Sequence, residues 1–258
     1  MSSILFEKKN SMAIITLNKP EKFNAFNREM ALQLQRILDD CASEKSVRAI
    51  YLTGNGKAFC AGQDLTELTG SNAPGFEVIL AEHYNPIVSR IRAIEKPIVC
   101  AINGVAAGAG ANIALCCDVV LACASASFIQ AFSKIGLIPD SGGTFTLPRL
   151  IGFQKASALM MLGDKITATE AEKMGMIYKV FEDDSFSEES LKIAENLSKM
   201  PTKGLAFTKM ALNASFKNSF AEQLQIENEL QYKASQTADC KEGMNAFLEK
   251  RIPVFKGE

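Results

Sequence analysis

The stretch "AINGVAAGAGANIALCCDVVLA" (Ala101–Ala122) decides how the rest of the chain is read. From Ile98 to Ile129 the only charge is Asp118, an apolar run long enough to be mistaken for a membrane span. Its interior argues otherwise. Gly104, Gly108, Gly110, Asn103 and Asn112 break it up, and the pattern changes partway. A buried strand over Ile98–Ile102, a glycine turn, a buried helix over Gly108–Cys117 and a second strand over Val119–Ala124 account for it. Such a unit belongs inside an α/β core. The turn is not a nucleotide fingerprint: "GVAAGAG" has the wrong spacing for G-x-G-x-x-G, and no G-x-x-x-x-G-K-[ST] occurs.

Outward from that unit the same reasoning assigns the flanks. Ile4–Lys8 and Met12–Leu17 alternate around Asn10-Ser11, predicting a β-hairpin. Met30, Leu34, Ile37, Leu38 and Cys41 recur at helical spacing over Arg28–Ser43, with Asn27 placed as N-cap. Val47–Thr53 predicts a strand, and Phe76–Ala93 a helix interrupted by Pro86. Downstream, Gln154–Leu162 predicts a helix, and Thr167 with Glu170 forms a capping box for a short helix ending at Gly175. Met176–Phe181 is the last strand-like run. Beyond Ser187 the pattern is helical throughout: Glu188–Lys199, Gly204–Phe216, Phe220–Gln236 and Lys241–Glu249. Residues 1–195 are therefore expected to form an α/β core and 196–258 a helical region that packs on something, a neighbouring subunit included. Leu224, Ile226, Leu230 and Phe247 supply its apolar stripe.

The bulk composition narrows the function. Of 258 residues, 47% are hydrophobic and 22% charged, with a formal net charge of -1; this fits a packed globular protein without an affinity for nucleic acid or an anionic membrane. Seven cysteines, an odd number with no C-x-x-C pair, predict buried reduced thiols rather than disulfides or a zinc site. "MSSILFEKKN" has no secretory apolar region and "FKGE" is no peroxisomal address, so a cytoplasmic location is expected. The single histidine, His83, lies in the polar helical stretch "AEHYNP" and is expected at the surface. One histidine cannot build a multi-histidine metal site, and no G-x-S-x-G elbow is present for it to serve. Chemistry is left to carboxylates, backbone groups or a cofactor.

"NKPEKFNAF" (Asn18–Phe26), "GKAFCAGQDL" (Gly56–Leu65), Ala101–Ala122 and "FIQAFSKIGLIPDSGGTFTLPRLIG" (Phe128–Gly152) occur in this order. Together they resemble the enoyl-CoA hydratase/isomerase, or crotonase, superfamily over nearly the whole chain. The resemblance implies an α/β spiral of repeated ββα units with a C-terminal helical trimerisation region, assembled as a homotrimer or a dimer of trimers. It implies an acyl-CoA substrate and no separate cofactor or metal, coenzyme A being part of the substrate. It also implies an oxyanion hole made by the backbone N–H groups of Gln63 and Ala109. Such donors suit thioester chemistry, because enolate formation puts negative charge on the thioester oxygen, and loss of one donor typically costs about 10²–10³ in rate. Lys22, Phe23, Ala61, Asp64, Leu65, Gly108 and Phe132 are implied substrate contacts, and Lys256 reaches a coenzyme A phosphate across a subunit interface.

The departures from the pattern carry the functional expectation. Where hydratases of the superfamily place two glutamates on the attacking water, this chain has Asn112 and Phe132. Neither is a base. Asp140, in "LIPDSGG", stands where hydratases usually have glycine, in a loop that supplies the working acid of some isomerases and aryl-CoA dehalogenases. A capping role for Asp140 at the following helix is the alternative. The stretch "LIPDSGGTFTLPRLIG" is most similar to the ring-1,2-epoxyphenylacetyl-CoA isomerases of aerobic phenylacetate breakdown, which resemble the Δ3,Δ2-enoyl-CoA isomerases of fatty-acid metabolism. A 1,3 proton transfer by Asp140 is thus the expected reaction. Hydration or non-catalytic acyl-CoA binding are the alternatives.

Overall fold

The computed structural model describes residues 2–69 and 73–258. The first hairpin forms as the alternation predicts: β1 (Ile4–Lys9) pairs antiparallel with β2 (Met12–Leu17), from Ile4 opposite Leu17 to Lys9 opposite Met12. Asn10 takes the left-handed conformation that so tight a turn demands, at φ +54°. Helix α1 (Arg28–Ser43) starts where Asn27 caps it, its side chain accepting from the N–H of Met30, and its apolar stripe is buried as the spacing requires.

From there the chain winds as a spiral. Strands β3 (Ala49–Gly54), β5 (Ile98–Ile102), β7 (Val119–Cys123) and β10 (Lys179–Phe181) enter a six-stranded sheet of order β1-β2-β3-β5-β7-β10, parallel beyond the hairpin. Strands β4 (Ala58–Cys60), β6 (Val105–Ala107), β8 (Ser127–Ile129) and β9 (Lys165–Thr167) form a second sheet in that order. Each turn places one strand in the large sheet and the next in the small one before a helix returns the chain. The elements α2 (Phe76–Ile79) and α3 (Asn85–Ala93) close the first such turn, and α4 (Ala109–Leu115) the second. Helices α5 (Gly143–Ile151), α6 (Phe153–Leu162) and α7 (Ala168–Lys173) follow, with the Thr167–Glu170 capping box in place. Every residue of α4 is buried, which is why this segment has no polar face.

Helix α8 (Asp183–Lys199) begins earlier than the apolar pattern suggests, because Asp183 and Asp184 favour a helix N-terminus. It lies on the large sheet, where Ser190 Oγ meets Tyr51 Oη at 2.8 Å. The boundary drawn at residue 195 runs through it, so no linker separates core from tail. Helices α9 (Thr202–Ser215), α10 (Phe220–Ser235) and α11 (Ala238–Leu248) complete the chain. Of the expected apolar stripe, Leu230 is buried within its own chain, whereas Leu224 (50%) and Phe247 (82%) are exposed. No helix is long and apolar enough to cross a membrane among the described residues.

Asp118, the lone charge of the apolar run, anchors the tail. Its Oδ2 accepts the Ile98 N–H at 2.9 Å and the Lys209 ammonium at 2.8 Å. Lys209, itself buried on α9, also donates to the Ile91 carbonyl at 2.7 Å. Burial disfavours its charged form more than Asp118 favours it, so the ammonium pKa lies below its ordinary value.

Candidate active site

Two glycine turns meet at the edge of the small sheet. After β4 the chain turns at Gly62 (φ +92°), and after β6 it turns at Gly108 (φ +53°, ψ -128°) into α4. Both conformations are open to glycine at little cost. A Cβ on Gly62 would stand 3.0 Å from the Ala107 carbonyl and 3.5 Å from the Ala109 nitrogen, so the backbones pass close together. Phe26 holds the first turn from behind: its N–H donates to Gly62 O at 2.7 Å and its carbonyl accepts the Asp64 N–H at 2.8 Å. The N–H of Gln63, between those bonds, has no acceptor among the described residues, and neither has that of Ala109, the first residue of α4.

Both turns open on one cavity of about 210 Å³. Its wall brings together Ala61, Gln63, Leu65, Gly108, Ala109, Phe132 and Asp140, seven of the residues singled out in the sequence. Phe132, buried on a short 3₁₀ turn, lies over Gly108. Lys22, Phe23 and Asp64 lie at the rim: Phe23 is half exposed, its carbonyl accepts the Ala61 N–H at 2.9 Å, and Lys22 Nζ is 3.6 Å from Asp64. Lys256 is not brought to this cavity within the chain. It lines another hollow with Arg48, Lys96 and Thr202, where its N–H is held by the buried carboxylate of Asp239 at 2.7 Å.

Asp140 does not cap a helix. Gly142 occupies the N-cap of α5 with no side-chain hydrogen bond. The loop instead turns through two left-handed residues, Ser141 (φ +53°) and Gly142 (φ +75°), and a strained non-glycine residue of this kind is held only where its surroundings fix it. They do so here: the Asp140 carbonyl accepts Asn112 Nδ2 at 2.9 Å and the Gly143 N–H at 2.8 Å. The carboxylate takes a single hydrogen bond, from Ser141 Oγ to Oδ1 at 2.8 Å, and Oδ2 has no donor among the described residues. Burial raises the carboxyl above its ordinary pKa, and the Ser141 hydroxyl opposes this only in part. Asp140 thus places a carboxyl of raised pKa on a mostly apolar wall.

Asn112 does not face the cavity. It is fully buried, its amide tethering the Asp140 loop while its Oδ1 accepts Gln130 Nε2 at 2.8 Å. His83, expected at the surface, is 1% exposed, with Tyr84 edge-on at 6.4 Å between centroids. Pro86, lacking an N–H, cannot bond the Glu82 carbonyl, and the chain widens into a π-helical turn over Leu80–Tyr84, closed by Asn85 N–H to Leu80 O. Gln35 supplies the missing donor, its Nε2 lying 2.7 Å from Glu82 O. His83 and Tyr84 lie on the buried face of this irregular helix with Ile79, Ile87 and Ile91, and burial lowers the His83 pKa. Tyr84 joins the cavity wall with Phe76, Ile79 and Leu137.

Comparison with known proteins gives consistent relatives. The family described as enoyl-CoA hydratase/isomerase matches residues 7–258. The 1,2-epoxyphenylacetyl-CoA isomerase of Escherichia coli is 43% identical, with 100% of both chains covered. A protein named "Probable enoyl-CoA hydratase" from Rhodobacter capsulatus is 42% identical over 99% of this chain and 98% of its own. The crystal structure of an enoyl-CoA hydratase from Bacillus anthracis superposes with a TM-score of 0.94 at 32% identity, covering 99% of this chain and 100% of that one. The relatives thus carry both isomerase and hydratase names.

Proposed function

The chain belongs to the enoyl-CoA hydratase/isomerase family, and we propose that within it the chain is an isomerase, moving a carbon–carbon double bond of an acyl-CoA by 1,3 proton transfer. One observation carries this. Asp140 is the sole carboxylate on the cavity wall among the described residues, while Phe132 and the inward-turned Asn112 leave no side chain to hold an attacking water. In this reading Oδ2 of Asp140 takes a proton from C2 of the thioester. The resulting negative charge spreads to the thioester oxygen, where the N–H groups of Gln63 and Ala109 meet it. The Asp140 acid then returns the proton at C4, and the double bond has moved. A raised pKa suits a group that must act as base and then as acid. Phe76, Tyr84, Phe132, Leu65 and Leu137 give the wall an apolar lining, which disfavours the water that would divert the intermediate.

The acyl group we propose is the 2-(1,2-epoxy-1,2-dihydrophenyl)acetyl group, the proton being returned to the ring after the epoxide opens to its oxepin tautomer. The likeness to the E. coli isomerase supports it, as do the three aromatic side chains around so compact a cavity. A straight-chain 3-enoyl group undergoes the same event at the thioester and is the second substrate. Incubation with a 3-enoyl-CoA and, separately, a 2-enoyl-CoA tests the reaction class. The expected result is conversion of the first to the second with little 3-hydroxyacyl-CoA from either; hydration as fast as isomerisation overturns the reading.

We also propose a homotrimer, or a dimer of trimers, as the working assembly. The exposed side chains of Leu224, Phe247 and Leu248 on the tail are the surfaces it would cover. Sedimentation at micromolar protein is expected to give a multiple of three chains, and a monomer refutes the proposal.

A further inference from the structure

Tyr84 is the last residue of the π-helical turn over Leu80–Tyr84. The phenol is 1% exposed, packs edge-on against Phe26 at 6.2 Å, and donates its hydroxyl to Gln63 Oε1 at 2.8 Å. The other end of that carboxamide is held as well: Gln63 Nε2 donates to Glu67 Oε2 at 2.8 Å. Glu67 is fixed in turn, its Oε1 accepting the N–H of Arg28, the first residue of α1, at 2.8 Å. A continuous hydrogen-bonded relay therefore runs from the start of α1 through Glu67 and Gln63 to Tyr84. The amide also donates to the Asp64 carbonyl at 3.3 Å, so both ends of the Gln63 carboxamide have partners of the right polarity and the side chain has one orientation. Phe26, against which Tyr84 packs, is the same residue that brackets the Gln63 backbone through Gly62 and Asp64.

On the reading of Gln63 as a donor to the thioester oxygen, we infer that Tyr84 is a positioning residue for that donor: its hydroxyl locks the Gln63 carboxamide, and with it the N–H of the same residue. Tyr84 touches the acyl cavity with its ring, yet its hydroxyl is committed to Gln63 rather than to the substrate. The phenol stays a neutral donor at working pH, because burial and the nearby Cys60, Asp140 and Glu67 all oppose its ionisation. A misaimed donor weakens stabilisation of the developing charge more than binding of the ground state, so the effect falls on kcat.

The test uses Tyr84→Phe, which keeps the ring and removes the hydroxyl, with Gln63→Leu, which removes the acceptor but keeps the backbone N–H. Both are assayed on a 3-enoyl-CoA, and the carbonyl stretch of bound phenylacetyl-CoA, ¹³C-labelled at the carbonyl, is read by infrared difference spectroscopy. In the wild type the stretch is expected below its value in water. Tyr84→Phe is expected to lower kcat about tenfold, short of the 10²–10³ that loss of the donor itself costs, with KM changed less than about twofold. Its carbonyl stretch should move back toward the solution value. Gln63→Leu should do the same, and the double variant should be no worse than either single one. Unchanged kcat and stretch in Tyr84→Phe, beside a shifted wild type, overturn the inference and leave the Gln63 reading standing. Losses that multiply in the double variant also overturn it, since Tyr84 then acts on the substrate itself. An unshifted wild type refutes the Gln63 reading, and the inference with it. Should Tyr84→Phe fail to fold, Gln63→Leu alone decides on the same criteria: full kcat and an unmoved stretch overturn it.

Discussion

Asp140→Asn is expected to lower isomerisation of a 3-enoyl-CoA by about 10²–10⁴-fold, the usual worth of a general acid–base group, while acyl-CoA binding changes little. The substitution is nearly isosteric, and Asn keeps an oxygen for the Ser141 hydroxyl. The main-chain tether from Asn112 is untouched, since it ends on the Asp140 carbonyl. What disappears is the proton acceptor, and no second carboxylate on the cavity wall replaces it among the described residues. Activity within a few-fold of wild type, or binding lost together with activity, contradicts the assignment.

The pH dependence follows from the same group. Burial raises the folded-state pKa of Asp140 above the unfolded value, and catalysis needs the carboxylate, so kcat/KM should fall on acidification through a midpoint above the ordinary aspartate value. The sign for stability is opposite. Between the unfolded and folded pKa values the native chain binds more protons, so stability falls as pH rises through that window. At neutral pH the buried carboxylate is a net cost that Asn does not carry. Asp140→Asn should therefore melt at or above wild type at pH 7, with the difference closing as pH falls below the ordinary carboxylate range.

The second large effect is on folding. Asp118→Ala strands the Lys209 ammonium in a buried site and takes the acceptor from the Ile98 N–H. Leaving a buried charge without its partner typically costs about 3–5 kcal/mol. Because Asp118 is partly exposed, the loss should lie at or below the low end, about 2–3 kcal/mol, a drop in melting temperature on the order of 5–10 °C for a chain of this size. Urea or thermal denaturation at fixed protein concentration measures it. The double change Asp118→Leu with Lys209→Met should recover much of the loss, because no buried charge is left unpaired. Arg92, 3.7 Å from the Asp118 carboxylate, is part-exposed and keeps its bonds to the Cys116 carbonyl and Asn213. A single variant within about 1 kcal/mol of wild type would show that the pair does not anchor the tail.

What the sequence made legible follows from locality. The turn at Gly108 could be read because glycines interrupt the apolar run there, and α4 because a helix buried all round has no polar face. Asp140 stood out as a carboxylate among apolar and glycine residues. Its freedom from capping could not be read, since it depends on Ser141 taking a left-handed conformation held by contacts from α4. His83 was misplaced because its neighbours in sequence are polar; the π turn at Pro86 depends on Gln35, distant in sequence, to satisfy the freed carbonyl. Asn112 showed only what it is not, a base. Its bond to the Asp140 loop joins residues 28 apart and has no local signature. Leu230 fits an outward stripe by spacing, yet its own chain covers it.

The most direct test of a single base on one face follows the proton itself. A 3-enoyl-CoA deuterated stereospecifically at the abstracted C2 position is converted in ordinary water, and the 2-enoyl product is examined at C4. If Asp140 carries the proton in a cavity closed to water, part of the label arrives at C4, on the face from which it was taken. Delivery to the opposite face, or loss of all label together with accumulation of 3-hydroxyacyl-CoA, would contradict the mechanism.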